Sequence, residues 1–245
     1  MNITFNFSQA ILEQMSSGFI SAKPYRHIIL NGLFKEELMV KVSDEIENFD
    51  DWDNKLKGDE NPLTCQNKFY CSSFGRLPEL SRLVIQALYS EKFLTILSHI
   101  TNINNLIPDY SLHGGGIHTV KRGGFLKIHS DFNFHSKLKL HRRLNLLLYC
   151  NKKWQNSWGG QFEMWDKFMN KCEAKVEPNL GRIVIFETND LSFHGHPDPL
   201  KCPVDTSRKS IALYYYSQDR SPRGMAPQRG NDTMTRYAKR KGFER

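Results

Sequence analysis

The pattern that most limits the fold of this chain begins near Leu106. From there on, short apolar or alternating runs are separated by Gly, Asn, Asp and Pro. Gly116 to Val120, Phe125 to Ile128, Leu144 to Cys150, Gln161 to Trp165, Ala174 to Val176, Arg182 to Phe186 and Ser210 to Tyr216 each have the length and composition of a strand. No helical pattern falls between them. That succession predicts a sandwich or barrel, and a double-sheet jelly roll, an architecture able to carry metal sites, fits it. Asn156-Ser157-Trp158-Gly159-Gly160 reads as a turn before one of the strands, with glycines free to take positive φ.

The first hundred residues have a different texture. Tyr25 to Leu30 predicts a strand, broken by Asn31-Gly32. Leu38, Val42 and Ile46 recur at helical spacing and predict a helix over Phe34 to Phe49. Leu77 to Ile100 predicts one or two helices, and the charged stretch Asp50 to Pro62 an exposed loop. The expected organisation is an N-terminal α/β support over residues 1–105, a core over 106–220 and a basic tail over 221–245. The fold class is mostly β with flanking helices, the core being a double-stranded β-helix (jelly roll).

Composition narrows the setting. A chain of 245 residues that is 39% hydrophobic and 24% charged is ordinary for a folded domain. No apolar run approaches the roughly 20 residues that span a bilayer. The start, Met1 to Gln9, lacks a basic segment leading into an apolar one, so no secretory signal is expected. The five cysteines are scattered without paired spacing, which favours a reduced, cytoplasmic location. The net charge of +8 is concentrated at one end, with eleven basic against four acidic residues from Lys201 onward. The plain reading is a solvated tail; the other is a contact surface for an acidic partner. Past Tyr216 only Tyr237 and Phe243 are aromatic, too few for base stacking, so nucleic acid is disfavoured as a partner.

The chemistry centres on Gly123 to Asn133. Phe125 to Ile128 leads into His129 and Asp131, two residues apart, and extended backbone puts both on one face. Two ligands on one face can bind one metal ion, and His194, just past a strand and followed by Gly195, is the candidate third ligand. Two histidines and one carboxylate on one side of an ion suit non-haem Fe(II) chemistry. A second such pair, His196-Pro197-Asp198, is flanked by prolines that suggest a loop. Fourteen residues after His194, Arg208 and Ser210 alternate onto one face of a strand, where a guanidinium fork and a hydroxyl make a carboxylate receptor. Tyr149, at the end of the apolar strand from Leu144, could give that carboxylate a second hydrogen bond. Taken singly, each has a plainer reading: a surface histidine beside a turn aspartate, a structural histidine, a surface arginine and a core tyrosine with a wet tip.

In order, the chain shows H-x-D, then Arg142-Arg143 before an apolar strand ending in Tyr149. A Trp154…Gly159-Gly160 turn, Phe186, His194 and Arg-x-Ser follow. This order resembles the Fe(II)/2-oxoglutarate dioxygenases, and within them the prolyl-4-hydroxylase-like group, including the oxygen-sensing and ribosomal-protein prolyl hydroxylases. The resemblance covers about Leu112 to Gln218, and more loosely the strand and helix from Tyr25. It implies that His129, Asp131 and His194 hold Fe(II) and that Arg208, with Tyr149 and Ser210, binds the far carboxylate of 2-oxoglutarate. The family often has a tyrosine near the position of Val120; His118 and Thr119 stand there instead. His118 is taken as a cofactor-binding candidate, and the group at the other end of 2-oxoglutarate is left open. The spacing from His194 to Arg208 is long for the family.

The implied activity is hydroxylation of an unactivated C–H bond with Fe(II), 2-oxoglutarate and O2, ascorbate being stimulatory. The substrate is a protein prolyl residue or a small metabolite, either an amino acid or a saccharide. Arg142, Arg143, Asn133 and the loop Asp50 to Pro62 are candidate substrate contacts. The competing class is a jelly-roll module that binds metal or ligand without turnover. A basic-tail adaptor for nucleic acid is the third.

Overall fold

The computed structural model describes residues 5–53, 63–219 and 234–238. In chain order its elements are α1 (Gln9–Ser21), β1 (His27–Leu30), α2 (Glu36–Glu47), β2 (Cys65–Cys71), α3 (Glu79–Leu88), α4 (Glu91–Thr101) and β3 (Ile107–Pro108). Then come β4 (Gly116–Ser130), β5 (Phe134–His135), β6 (Leu140–Tyr149), β7 (Phe162–Trp165), β8 (Cys172–Val176), β9 (Ile183–Glu187), β10 (His194–His196), β11 (Ser207–Ser217) and β12 (Arg236–Tyr237). The strands form one mostly antiparallel sheet in the order β1-β9-β6-β11-β4-β10-β7-β8, curled into a half-barrel of jelly-roll type. No helix of the described residues is long and apolar enough to cross a membrane.

The alternation of strand side chains sorts the core from the cavity. On β6, Leu144, Leu146 and Leu148 face the helices; so do Ile183 and Ile185 of β9, and Ile211, Leu213 and Tyr215 of β11. There they pack on Phe19 of α1, Met39 and Val42 of α2, Ile85 and Leu88 of α3, and Phe93 and Leu97 of α4. The intervening residues, among them Asn145, Leu147, Arg208, Ser210, Ala212 and Tyr214, line the concave side. The polar residues of these strands are thus in register with each other, not scattered through the core.

The helices are anchored to one another by specific caps. Glu45 of α2 accepts hydrogen bonds from the backbone N–H groups of Leu80 and Ser81, both at 2.9 Å, satisfying the open first turn of α3. The Ser90 hydroxyl accepts from Phe93 N–H at the start of α4, and Asn102 closes that helix in the left-handed region at φ 55°.

Most of the elements expected from the sequence are present. The helix expected over Phe34 to Phe49 is α2, and Leu77 to Ile100 divides into α3 and α4 at Tyr89-Ser90. Gly116 to Val120 and Phe125 to Ile128 are not separate strands but parts of one, β4. Its first half pairs with β11 (Val120 opposite Arg208) and its second half with β10 (His129 opposite His194). That single strand carries the chain from one wall of the roll to the other. The sequence reading assigned no element to α1 or β2. The loop expected over Asp50 to Pro62 falls largely outside the described residues.

Candidate metal centre and co-substrate pocket

His129 is the penultimate residue of β4, Asp131 follows the strand, and His194 opens β10 directly across the ladder from His129. The cluster is therefore one cross-strand pair plus a residue two positions along. The imidazole rings lie 4.4 Å apart by centroid. Each points Nδ1 at a backbone carbonyl: His129 at Lys127 O and His194 at Ser192 O, both at 2.8 Å. A carbonyl can only accept, so Nδ1 carries the proton and Nε2 keeps its lone pair for a metal. His129 Nε2 is 3.5 Å from one Asp131 oxygen and His194 Nε2 is 3.3 Å from the other. All three ligand atoms fall within 4.8 Å of one another. Bonds of about 2.1 Å to one ion at right angles set neighbouring donors about 3 Å apart, so a small contraction would bring all three donors onto one ion. The donor set fits a divalent first-row ion such as Fe(II) and leaves the opposite side of the ion to other ligands.

The carboxylate is held by a buried network. Arg142 Nη2 reaches one Asp131 oxygen at 3.1 Å, and Asn145 Nδ2 donates to the same oxygen. Arg142 Nε and Thr188 Oγ1 both donate to Asn145 Oδ1, at 2.7 and 3.2 Å, which fixes the amide with its NH2 towards Asp131. The Arg142 guanidinium lies 3.4 Å from the Tyr214 ring centroid and 4.5 Å from that of Phe132. Burial alone would raise the Asp131 pKa, but Arg142, then His194 and His129, hold it well below the usual carboxylate range. Burial, then His194, pushes the His129 pKa down and keeps that ring neutral and able to ligate.

The same concavity continues to Arg208 as a cavity of about 180 Å3. Arg208 is 5% exposed; its Nε donates to Gly160 O at 2.7 Å and its Nη2 to Tyr149 OH at 3.3 Å. Burial raises the pKa of Tyr149, partly offset by Arg208, so the phenol stays protonated. The Gly159-Gly160 turn has a steric reason. Gly160 sits at φ +76°, and a Cβ there would come within 2.7 Å of Leu200 and 3.0 Å of the Arg208 stem. Ser210 pairs with Tyr149 on one side and with His118 on the other. His118 lines the cavity, with Nε2 at 3.3 Å from Gly115 O and its ring beside Tyr70.

Six of the seven site candidates read from the sequence, His129, Asp131, His194, Arg208, Ser210 and His118, line one concavity; the seventh, Tyr149, is fully buried and reaches it only through its hydrogen bond with Arg208. Among the candidate substrate contacts, Arg142 lines the cavity. Arg143 and Asn133 do not; they bond Ser217 Oγ and Asp190 Oδ1 respectively. Three features of the lining were missed. Lys68 of β2 lies opposite Val120, itself opposite Arg208, so both cations flank one position. His196, placed in a proline loop from the sequence, is the last residue of β10 and lines the cavity. Its spacing of two from His194 was the available signal. The expected tail 221–245 lies mostly outside the described residues, but β12 pairs with β4 (Tyr237 opposite His129). There Tyr237 stands 5.5 Å from the His129 ring, and it lines the cavity together with Thr235.

The His-Asp-His cluster thus sits at the ends of two paired strands of a curled antiparallel half-barrel. Residues 115–216 match the 2OG-Fe(II) oxygenase superfamily, which bears out the likeness to Fe(II)/2-oxoglutarate dioxygenases read from the motifs. No curated protein sequence matches the chain. Among solved structures, it is similar to a prolyl hydroxylase from Trichoplax adhaerens in complex with a hypoxia inducible factor oxygen degradation domain peptide fragment. That match has a TM-score of 0.60 at 16% identity and covers 84% of this chain and 91% of that one. A Pseudomonas putida prolyl-4-hydroxylase matches with a TM-score of 0.53 at 16% identity, covering 85% and 100%. HygX from Streptomyces hygroscopicus, with nickel and 2-oxoglutarate bound, matches with a TM-score of 0.53 at 11% identity, covering 86% and 87%.

Proposed function

We propose that this chain is an Fe(II)/2-oxoglutarate-dependent hydroxylase of an unactivated C–H bond, prolyl-4-hydroxylase-like, acting on a protein prolyl residue or on a small amino acid or saccharide. The observation that carries the reading is that the His129/Asp131/His194 cluster and Arg208 open into one cavity. His129, Asp131 and His194 would hold Fe(II). Arg208, braced by Tyr149 and with Ser210 beside it, would seat the far carboxylate of 2-oxoglutarate, and His118 walls the same end. When bound, Fe(II) with 2-oxoglutarate and O2 supplies oxidative decarboxylation to succinate and CO2, coupled to oxygen insertion into a C–H bond.

The chain's own part is position and exclusion of water. Arg142 and Asn145 keep Asp131 ionised and aimed at the metal. Leu126, Leu147 and Phe162 give the cavity apolar walls that limit solvent around the reacting atoms. Arg142 is neutralised by Asp131, and no group of the lining is needed as an acid or base. Both substrate classes occur among proteins of this fold, a peptide in the Trichoplax adhaerens complex and hygromycin B in a HygX structure. The five cysteines, all free, support a cytoplasmic setting.

The deciding experiment measures succinate released from 2-oxoglutarate with Fe(II) and ascorbate, over a panel of prolyl peptides, amino acids and sugars. Products gain the mass of one oxygen. The Asp131→Ala protein, folded by circular dichroism, is expected to release none above background. Full turnover in that variant would remove the metal cluster from the mechanism. Binding without turnover in the wild type would favour the non-catalytic module.

A further inference from the structure

Four histidines line the cavity: His118, His129, His194 and His196. Three have a backbone carbonyl on one ring nitrogen, those of Gly115, Lys127 and Ser192. His196 is the exception. It is 5% exposed, and its Nδ1 is fully buried with no hydrogen-bond partner among the described residues. A buried polar group left unmade in this way is costly, so an arrangement that keeps one invites a ligand to complete it.

Its surroundings say what kind of ligand. His196 stands two residues from His194 on β10, so the two rings share the cavity face. The charges acting on its ring are those of Arg208 and Lys68, ahead of His129 on the metal side. Asp131, the one carboxylate in the described lining, is already tied to Arg142 and Asn145. The far end of the cavity therefore sets an unsatisfied imidazole in the same lining as the buried guanidinium of Arg208, an environment for an anion.

We propose that His196 is a further contact for the far carboxylate of the bound 2-oxo diacid, donating one ring N–H beside the guanidinium of Arg208. This rests on the co-substrate reading of the cavity. The carboxylate would receive the Arg208 fork from one side and a ring N–H of His196 from the other. His196 is thus a binding residue, distinct from the metal ligand two positions before it.

The test compares wild type with His196→Leu, which keeps the volume and removes the donor, and with His196→Gln, which restores an N–H. 2-Oxoglutarate is titrated anaerobically into the Fe(II)-loaded proteins and followed by the visible charge-transfer band. Thermal unfolding of the metal-free proteins is measured alongside. The expected result is at least about ten-fold weaker 2-oxoglutarate binding in His196→Leu, a loss on the scale of one charge-assisted hydrogen bond, with most of it recovered in His196→Gln. Fe(II) affinity stays unchanged. The melting temperature of metal-free His196→Leu is not below that of the wild type, because an unpartnered polar group has been replaced by an apolar one. Wild-type affinity in His196→Leu overturns the proposal alone. So does a lowered melting temperature with no rescue by His196→Gln, which marks a structural histidine. A wild type that shows no band with 2-oxoglutarate overturns the co-substrate reading, and this proposal with it.

Discussion

Asp131 shows how much of the proposed metal site is made by residues outside the His129/Asp131/His194 cluster. Its two oxygens face the two imidazoles, yet one of them also takes both Arg142 and Asn145. Arg142 is a poor probe of that support, since it is 1% exposed and its loss would strand a buried carboxylate at a cost of about 3–5 kcal/mol. Asn145 is the cleaner one. Asn145→Leu keeps the volume and removes the amide; the expected outcome is Fe(II) binding weakened by about 10–100-fold in a chelator competition, with the fold retained. The clustering of these residues was legible in the sequence, because H-x-D in extended backbone forces a common face, and the motif order supplied His194 and Arg208. His196 was not, because Pro197 and Pro199 read as a loop although β10 ends just before them. Lys68 was hidden for another reason. On β2 its polar alternation points into a cavity, while polar alternation in a sequence ordinarily signals solvent.

At the scale of elements, the site depends on how closely β10 lies against β4. β10 has three residues, and its middle one is Gly195. A Cβ at that position would come within 2.8 Å of both Leu126 O and Lys127 O, backbone atoms that cannot swing away. Gly195→Ala must therefore push β10 off β4 and carry His194 away from His129. We expect this variant to keep its far-UV circular dichroism and to lose at least ten-fold in Fe(II) affinity, measured by titration. Unaltered affinity would show that the strand pair has slack. The strands past Leu106 were readable because alternation survives in them: the helix-facing leucines and isoleucines of β6, β9 and β11 mark one side without interruption. α1 was not readable. Its sequence QAILEQMSSGFIS mixes small and polar residues around Gly18, and Phe19 is its one fully buried side chain. Such a helix is held by docking on α4 and β1 more than by its own pattern.

Across the whole molecule, buried histidine and carboxylate groups make stability fall on the acid side of neutrality. The His118 pKa is pushed well below the histidine norm by burial, then by Lys68, against an opposing pull from Gly115 O that outweighs the further lowering by Arg208. An unfolded chain takes up this proton below about pH 6.5 while the folded one does not, so stability falls as pH drops from there. Asp131, lowered despite its burial, adds a second loss below about pH 4 as it is protonated. The metal-free protein should melt at a lower temperature at pH 5.5 than at pH 7.5, and His118→Gln should flatten that slope; an equal slope would assign it to other groups. The outer edge of β4 is also settled at this scale. β2 covers it from Ile117 to Leu126, and residues 236–238 continue the cover over Ile128 to Ser130. Unpaired edges are where strands recruit foreign partners. A chain made from its amino end has His129, Asp131 and His194 in hand some forty residues before that last stretch of cover exists. The strand that covers β4 beside His129 is thus the last-made part of the wall around the His129/Asp131/His194 cluster.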